Sequence, residues 1–140
     1  MTPLYTAQVT TTGGRTGHSK SSDGILDINL ATPKELGGPG GATNPEQLFA
    51  AGYSACFESA LRVVARMQKI NVTSSSVTAK VTLSKTEQHA YSLAAELRVA
   101  LPEVKQDVAQ KLVEAAHQVC PYSVATRGNM QVTLIVEGQA

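Results

Sequence analysis

The sequence predicts an α+β domain in the order βββ-α-ββ-α-β, with mainly antiparallel sheets around a long central helix. Three observations carry that prediction. Apolar and polar residues alternate with period 2 near both ends of the chain and in its middle. One long, mostly apolar stretch opens on helix-start residues, and a second, shorter stretch changes from period 2 to helical spacing. Strands and helices grouped in this way suit helices segregated against one side of antiparallel sheet.

The opening 30 residues read as strands. Tyr5, Ala7 and Val9 alternate with polar neighbours, Gly13-Gly14 offers a turn, and DGILDINL resumes the alternation after Asp23-Gly24. GGPGGAT, from Gly37 to Thr43, marks a change of structure rather than a domain boundary, and the chain reads as one domain, 1–140. In NPEQLFAAGYSACFESALRVVARMQKI, Asn44 suits an N-cap, Pro45 the first helical position and Gln47 the far side of a capping box. A helix from Glu46 to about Lys69 would run ~36 Å. Its first half is apolar nearly all round, the mark of a buried helix, and Glu58, Arg62 and Arg66 make a solvated stripe beyond it.

After Asn71 strands return, through Val77, Ala79, Val81 and Leu83, then Leu93, Ala95, Leu97 and Val99. Pro102-Glu103 is expected to open a second helix with Val104, Val108, Leu112, Ala115 and Val119 on one face. CPYSVATRG reads as a brief helix with Cys120 near its N-cap and Pro121 at its first position. Met130, Val132, Leu134 and Val136 make a closing strand.

Composition narrows the function classes. Charged residues are 16% and the formal net charge is +1, without local basic clusters, so nucleic acid is not an expected partner. The start MTPLYTAQVTTTGGR lacks a cationic, then apolar, leader, and no uninterrupted apolar run approaches the ~18 to 20 residues of a membrane span. The expectation is a soluble cytoplasmic protein without membrane partners, where thiols stay reduced unless redox chemistry is their task.

The chain has two cysteines. Cys56, in GYSACFE, could be a small hydrophobe filling space, as buried thiols often are. Cys120 stands before a proline at a helix start, where dipole and backbone N–H groups favour a thiolate. His18, His89 and His117 are scattered, a poor metal set, and are expected on solvated surface. Of two Phe and four Tyr, Phe49, Tyr53 and Phe57 fall at i, i+4 and i+8 on the central helix, and Tyr122 follows Cys120 by two. These four either pack a core or line an apolar substrate pocket beside a thiol.

ATNPEQLFAAGYSACFESAL followed by CPYS, with GGRTGHSKSSDG upstream, resembles the organic hydroperoxide resistance (Ohr) branch of the OsmC/Ohr family over the whole chain. The resemblance implies a thiol-dependent peroxidase acting on organic hydroperoxides in oxidative-stress defence, built as an intertwined homodimer with sites at the subunit interface. Carried over residue by residue, Cys56 is the peroxidatic thiol, Cys120 the resolving thiol, Arg15 the catalytic arginine and Glu46 its partner. No resident cofactor is implied. The reductant is a dihydrolipoyl group on a lipoylated carrier protein, and the Cys56–Cys120 disulfide forms and is reduced each turnover.

The chemistry needs such groups. A guanidinium favours a thiolate and stabilises charge on a departing alkoxide, and a carboxylate can hold it bidentately. On an unbroken helix, however, Glu46 and Cys56 stand ten residues, ~15 Å, apart along the axis. A two-fold dimer whose central helices cross antiparallel near Ala51, through Ala50, Ala51 and Gly52, would bring Glu46 of one subunit level with Cys56 of the partner subunit. The competing readings are an OsmC-branch peroxidase and a non-catalytic homodimer that binds an apolar small molecule.

Overall fold

In the computed structural model, which describes residues 1–140, the opening alternation yields shorter strands than the sequence predicts. β1 (Val9–Thr12), β2 (His18–Ser21) and β3 (Asp27–Asn29) form an antiparallel sheet in that order. Tyr5 and Ala7 lie outside β1, and all four β1 residues are exposed, so the period-2 pattern has no surface to bury there. The expected turns are present: Gly13 and Gly14 take positive φ, as does Gly24 after Asp23. The Asp23 carboxylate accepts from the Ile25 N–H at 3.0 Å and the Ser21 hydroxyl accepts from the Leu26 N–H at 2.9 Å, an Asx-type turn.

The chain divides into two compact units, Met1–Leu48 and Phe49–Ala140. In the first, Leu30 is the only buried apolar side chain; Ser19 and Asn44 are buried polar ones.

α1 (Pro45–Met67) starts as its sequence predicts and runs unbroken. Asn44 caps it, its Oδ1 accepting the Gln47 N–H at 2.9 Å. The capping box is incomplete, because Gln47 Oε1 accepts instead from the Thr43 hydroxyl at 2.8 Å. The buried face comprises Tyr53, Phe57, Ala60, Leu61, Val64 and Ala65. Contrary to the burial expected of its first half, Ala51 and Ala55 are exposed, and so are Val63 and Met67 further on. By length and composition α1 could also cross a membrane, which the unaided sequence reading excluded. Its buried face nevertheless belongs to a water-excluding protein core.

In the second unit β4 (Ser76–Lys85) and β5 (Tyr91–Lys105) form an antiparallel hairpin, in register from Ser76↔Ala100 to Lys85↔Tyr91. The second helix starts later than predicted, as α2 (Gln106–Val119), and the Pro102–Lys105 stretch belongs to β5. A proline is tolerated there because pairing with β4 ends at Ala100 and the ladder to the last strand is irregular between Ala100 and Lys105. With the later start, the buried α2 face becomes Ala109, Leu112, Val113 and Ala116, and Val119, expected to be buried, is exposed. Gln106 ties α2 to the closing strand, its Oε1 accepting the Gly138 N–H at 2.6 Å and its Nε2 donating to the Val136 carbonyl at 3.0 Å.

α3 (Pro121–Thr126) follows with Pro121 at its start, then β6 (Gln131–Gln139). β6 pairs parallel with β5, so this sheet, ordered β4-β5-β6, is mixed. A parallel pair needs a crossover, which α2 and α3 supply. The core joins Tyr53, Phe57 and Leu61 of α1 to Leu97, Val99 and Leu101 of β5 and to Leu112 and Val113 of α2, with Cys120 fully buried among them.

Candidate active site

Arg15 sits in the five-residue connection between β1 and β2, in the 3-10 turn Gly14–Thr16. That turn needs its glycines. Gly13 adopts φ +76°, and a Cβ on Gly17 would lie 1.6 Å from the Thr12 carbonyl oxygen, so no side chain fits. Arg15 meets Glu46 in the first turn of α1 as a bidentate pair, Nη1 donating to Oε2 at 2.8 Å and Nη2 to Oε1 at 2.6 Å. The pairing suits planar guanidinium and carboxylate groups, and these hydrogen bonds hold the Glu46 carboxyl below its usual range.

The two thiols come together in the second unit. Cys120 ends α2 and caps the start of α3, with φ −60° and ψ 123°, and has no exposed surface. Cys56 is partly exposed and close enough to Cys120 for the two thiols to influence one another's ionisation. Burial pushes the Cys56 thiol up, the neighbouring Cys120 adds to this, and the Tyr122 backbone N–H, donated to Cys56, pulls the other way.

The four aromatics separate. Tyr53 and Phe57 have no exposed surface and belong to the core, so neither lines accessible space in the chain as the pocket expectation required. Phe49 and Tyr122 are partly exposed, with ring centroids 6.3 Å apart, and Tyr122 lies 5.6 Å from Tyr53. Within this unit Gly52 makes room for Tyr122: a Cβ there would stand 2.8 Å from the Tyr122 hydroxyl.

Sequence reasoning missed the polar groups behind Cys120. The buried Tyr53 hydroxyl bonds Ser123 Oγ at 2.9 Å and Thr126 Oγ1 at 3.2 Å. His117 Nδ1 bonds Ser123 Oγ at 2.8 Å. A usable signal was Tyr53 on a buried stripe, since a buried phenol needs a polar partner. The two hydroxyls of PYSVAT at i and i+3 are such partners. His117 thus departs from the solvated surface expected for it; burial, then Arg127, lowers its pKa. His18 is partly exposed and bonds Asn29 at 2.8 Å and Asp27 at 2.6 Å, which raises its pKa. On the expected solvated stripe, Glu58 and Arg62 form an i, i+4 pair at 2.9 Å.

Comparison with known proteins adds the family. Residues 38–135 match the family described as OsmC-like protein. An organic hydroperoxide resistance protein of Xanthomonas axonopodis pv. citri is 51% identical over 133 residues, covering 94% of this chain and 93% of its own length. The Bacillus subtilis organic hydroperoxide resistance protein OhrB is 48% identical over 134 residues, covering 94% of this chain and 96% of its own. A crystal structure from Legionella pneumophila, described as an organic hydroperoxide resistance protein and predicted redox protein, superposes with TM-score 0.94 at 51% identity, covering 97% of this chain and 99% of that one. The chain belongs to the OsmC/Ohr family, on its organic hydroperoxide resistance branch.

Proposed function

We propose that this protein is a cysteine-based peroxidase that reduces organic hydroperoxides to alcohols and protects against them. One observation supports the reading above others: of two cysteines 64 positions apart (120 − 56), the fold makes neighbours that influence one another's ionisation. The relatives named for organic hydroperoxide resistance support the substrate class.

The Cys56 thiolate attacks the terminal oxygen of the hydroperoxide, forming an S–O bond as the O–O bond breaks. The alkoxide leaves and takes up a proton to become the alcohol, and Cys56 becomes a sulfenic acid. The sulfur of Cys120 then attacks that of Cys56; an S–S bond forms, hydroxide leaves, and the Cys120 proton completes a water molecule. An external dithiol, for which we propose a dihydrolipoyl group on a carrier protein in a reducing compartment, returns both cysteines to thiols. It enters at Cys56, the sulfur with solvent access.

Arg15, clamped by Glu46, would counter the rise that burial imposes on Cys56 and stabilise the departing alkoxide. Because α1 is unbroken, we place Arg15 and Glu46 of one subunit against Cys56 of the partner subunit, in a homodimer whose α1 helices cross antiparallel near Ala51. The exposed Ala51, Ala55, Val63 and Met67 on α1 support a helix face that a second copy covers. Phe49 and Tyr122 would supply the apolar lining for the organic group.

One equivalent of cumene hydroperoxide added to the reduced protein should convert both thiols into a Cys56–Cys120 bridge on non-reducing mass spectrometry, faster than hydrogen peroxide does. Cys56→Ser should abolish turnover. Thiols that stay reduced, or a Cys56→Ser protein that still consumes the peroxide, would refute the reading.

A further inference from the structure

The hydroxyl groups behind Cys120 form a chain whose direction can be assigned. The Thr126 hydroxyl donates to the Ser123 carbonyl at 3.3 Å. Its single proton is then committed, so at the 3.2 Å contact Thr126 accepts and the Tyr53 phenol donates. With its own proton used, Tyr53 accepts from Ser123 at 2.9 Å, and Ser123 in turn accepts from Nδ1–H of His117 at 2.8 Å. The lowered pKa of His117 fits a neutral ring. Every hydroxyl donates once and accepts once, which is what a buried polar chain must achieve to avoid a desolvation penalty.

The spacing gives the chain a second meaning. On α1, Tyr53 precedes Cys56 by three residues; at the start of α3, Ser123 follows Cys120 by three. Residues three apart on a helix share a face. The two segments therefore face one another one helical turn apart, with Cys120 neighbouring Cys56 and the Tyr53 hydroxyl bonded to that of Ser123. α3 has six residues, too few to hold its own shape without tertiary anchors. Arg127, just beyond it, donates to the His117 carbonyl and so joins both ends of this turn to α2.

We infer that the largely buried chain His117–Ser123–Tyr53–Thr126 positions the resolving thiol, tying α3 to α1 and α2 so that Cys120 stays beside Cys56. The inference rests on the peroxidase reading above. None of these side chains hydrogen-bonds either sulfur, so they act through α3. Their contribution belongs to disulfide formation, where Cys120 must approach the Cys56 sulfenic acid in line with the departing oxygen. It does not belong to the attack of Cys56 on the peroxide.

The test separates the two steps. In rapid-quench experiments with cumene hydroperoxide, sulfenic acid is counted by trapping with a cyclic diketone and disulfide by non-reducing mass spectrometry. Ser123→Ala and Tyr53→Phe should each slow disulfide formation about tenfold. Cys56 oxidation should stay within about twofold of the parent, so trapped sulfenic acid accumulates. Thr126→Ser, which keeps the hydroxyl, should resolve at the parental rate. If either deletion slows both steps equally, or neither, the positioning role is overturned. Should one variant fail to fold, the other carries the same comparison. A parent protein whose thiols never oxidise overturns the peroxidase reading and this inference with it. A parent that forms the bridge while both folded variants resolve normally overturns this inference alone.

Discussion

The two compact units are held together by different physics. In Phe49–Ala140, side chains of α1, α2 and β5 interlock around Leu61, Leu97 and Leu112, none with any exposed surface. In Met1–Leu48 only Leu30 is a buried apolar side chain, while Leu4, Tyr5, Val9, Ile25 and Leu36 are exposed. Its order comes from backbone pairing in β1-β2-β3, glycine-dependent turns and polar clamps such as Arg15–Glu46 and Thr11–Ser19. The lesson concerns what each region can offer chemistry. A close-packed unit can hold two thiols together and keep water from one of them. A thinly packed polar unit can hold a guanidinium ready, but its exposed apolar side chains await cover, and the homodimer proposed above would provide it.

The largest expected effect tests whether the polar unit supplies the charge. Arg15→Ala should lower peroxide turnover about 10²–10³-fold, the scale of losing a preorganised group that stabilises developing charge. Co-refolding inactive Arg15→Ala and Cys56→Ser proteins sharpens the point. If Arg15 serves the partner subunit, half of the dimers are mixed and each has one intact site, so about a quarter of parental activity returns. No recovery would place both groups in one subunit.

Stability should show the next contrast. Leu112→Ala in the packed unit should cost about 3 kcal/mol in denaturant unfolding, the transfer and cavity cost of a buried leucine. Val9→Ala on the exposed β1 should cost under about 0.5 kcal/mol in the single subunit. A larger loss at Val9, shrinking toward that value as dilution separates the subunits, would show that β1 is covered in the dimer.

A smaller effect concerns Cys56 itself. Burial raises its pKa and Cys120 raises it further. Cys120→Ala should therefore move the midpoint of pH-dependent Cys56 alkylation downward; an unmoved midpoint would leave burial as the sole cause. The smallest effect is at the clamp. Arg15 hydrogen bonds lower the Glu46 pKa in the folded state, so the pair contributes in full at neutral pH. That contribution fades as pH falls through the ordinary carboxylate range toward the lowered folded value. Glu46→Gln should flatten the acid limb of thermal stability, whereas an unchanged limb would assign the acid sensitivity elsewhere.

Much of this was readable from local pattern. The N-cap at Asn44, the proline start of α3, the strand periods of β4 and β6 and the flexible turn around Arg15 follow from preferences that act over a few residues. The same local rules erred where a neighbour decides. Pro102-Glu103 looks like a helix start, yet β5 runs on to Lys105 because the ladder beside it is already interrupted. Nor does local pattern at Gly52 reveal that Tyr122, 70 positions on (122 − 52), packs against it.

The sequence by itself determined the element types, the two thiols and the charged pair, because periodicity, caps and chemical type are properties of neighbouring residues. Family resemblance then attached roles to Cys56, Cys120, Arg15 and Glu46. Only the tertiary structure decided that β5 and β6 run parallel, that Tyr53 and Phe57 are core, and that His117, Ser123, Tyr53 and Thr126 join behind Cys120. Those outcomes depend on contacts between residues far apart in the chain, and no local preference encodes which distant partner a buried hydroxyl or strand edge will meet.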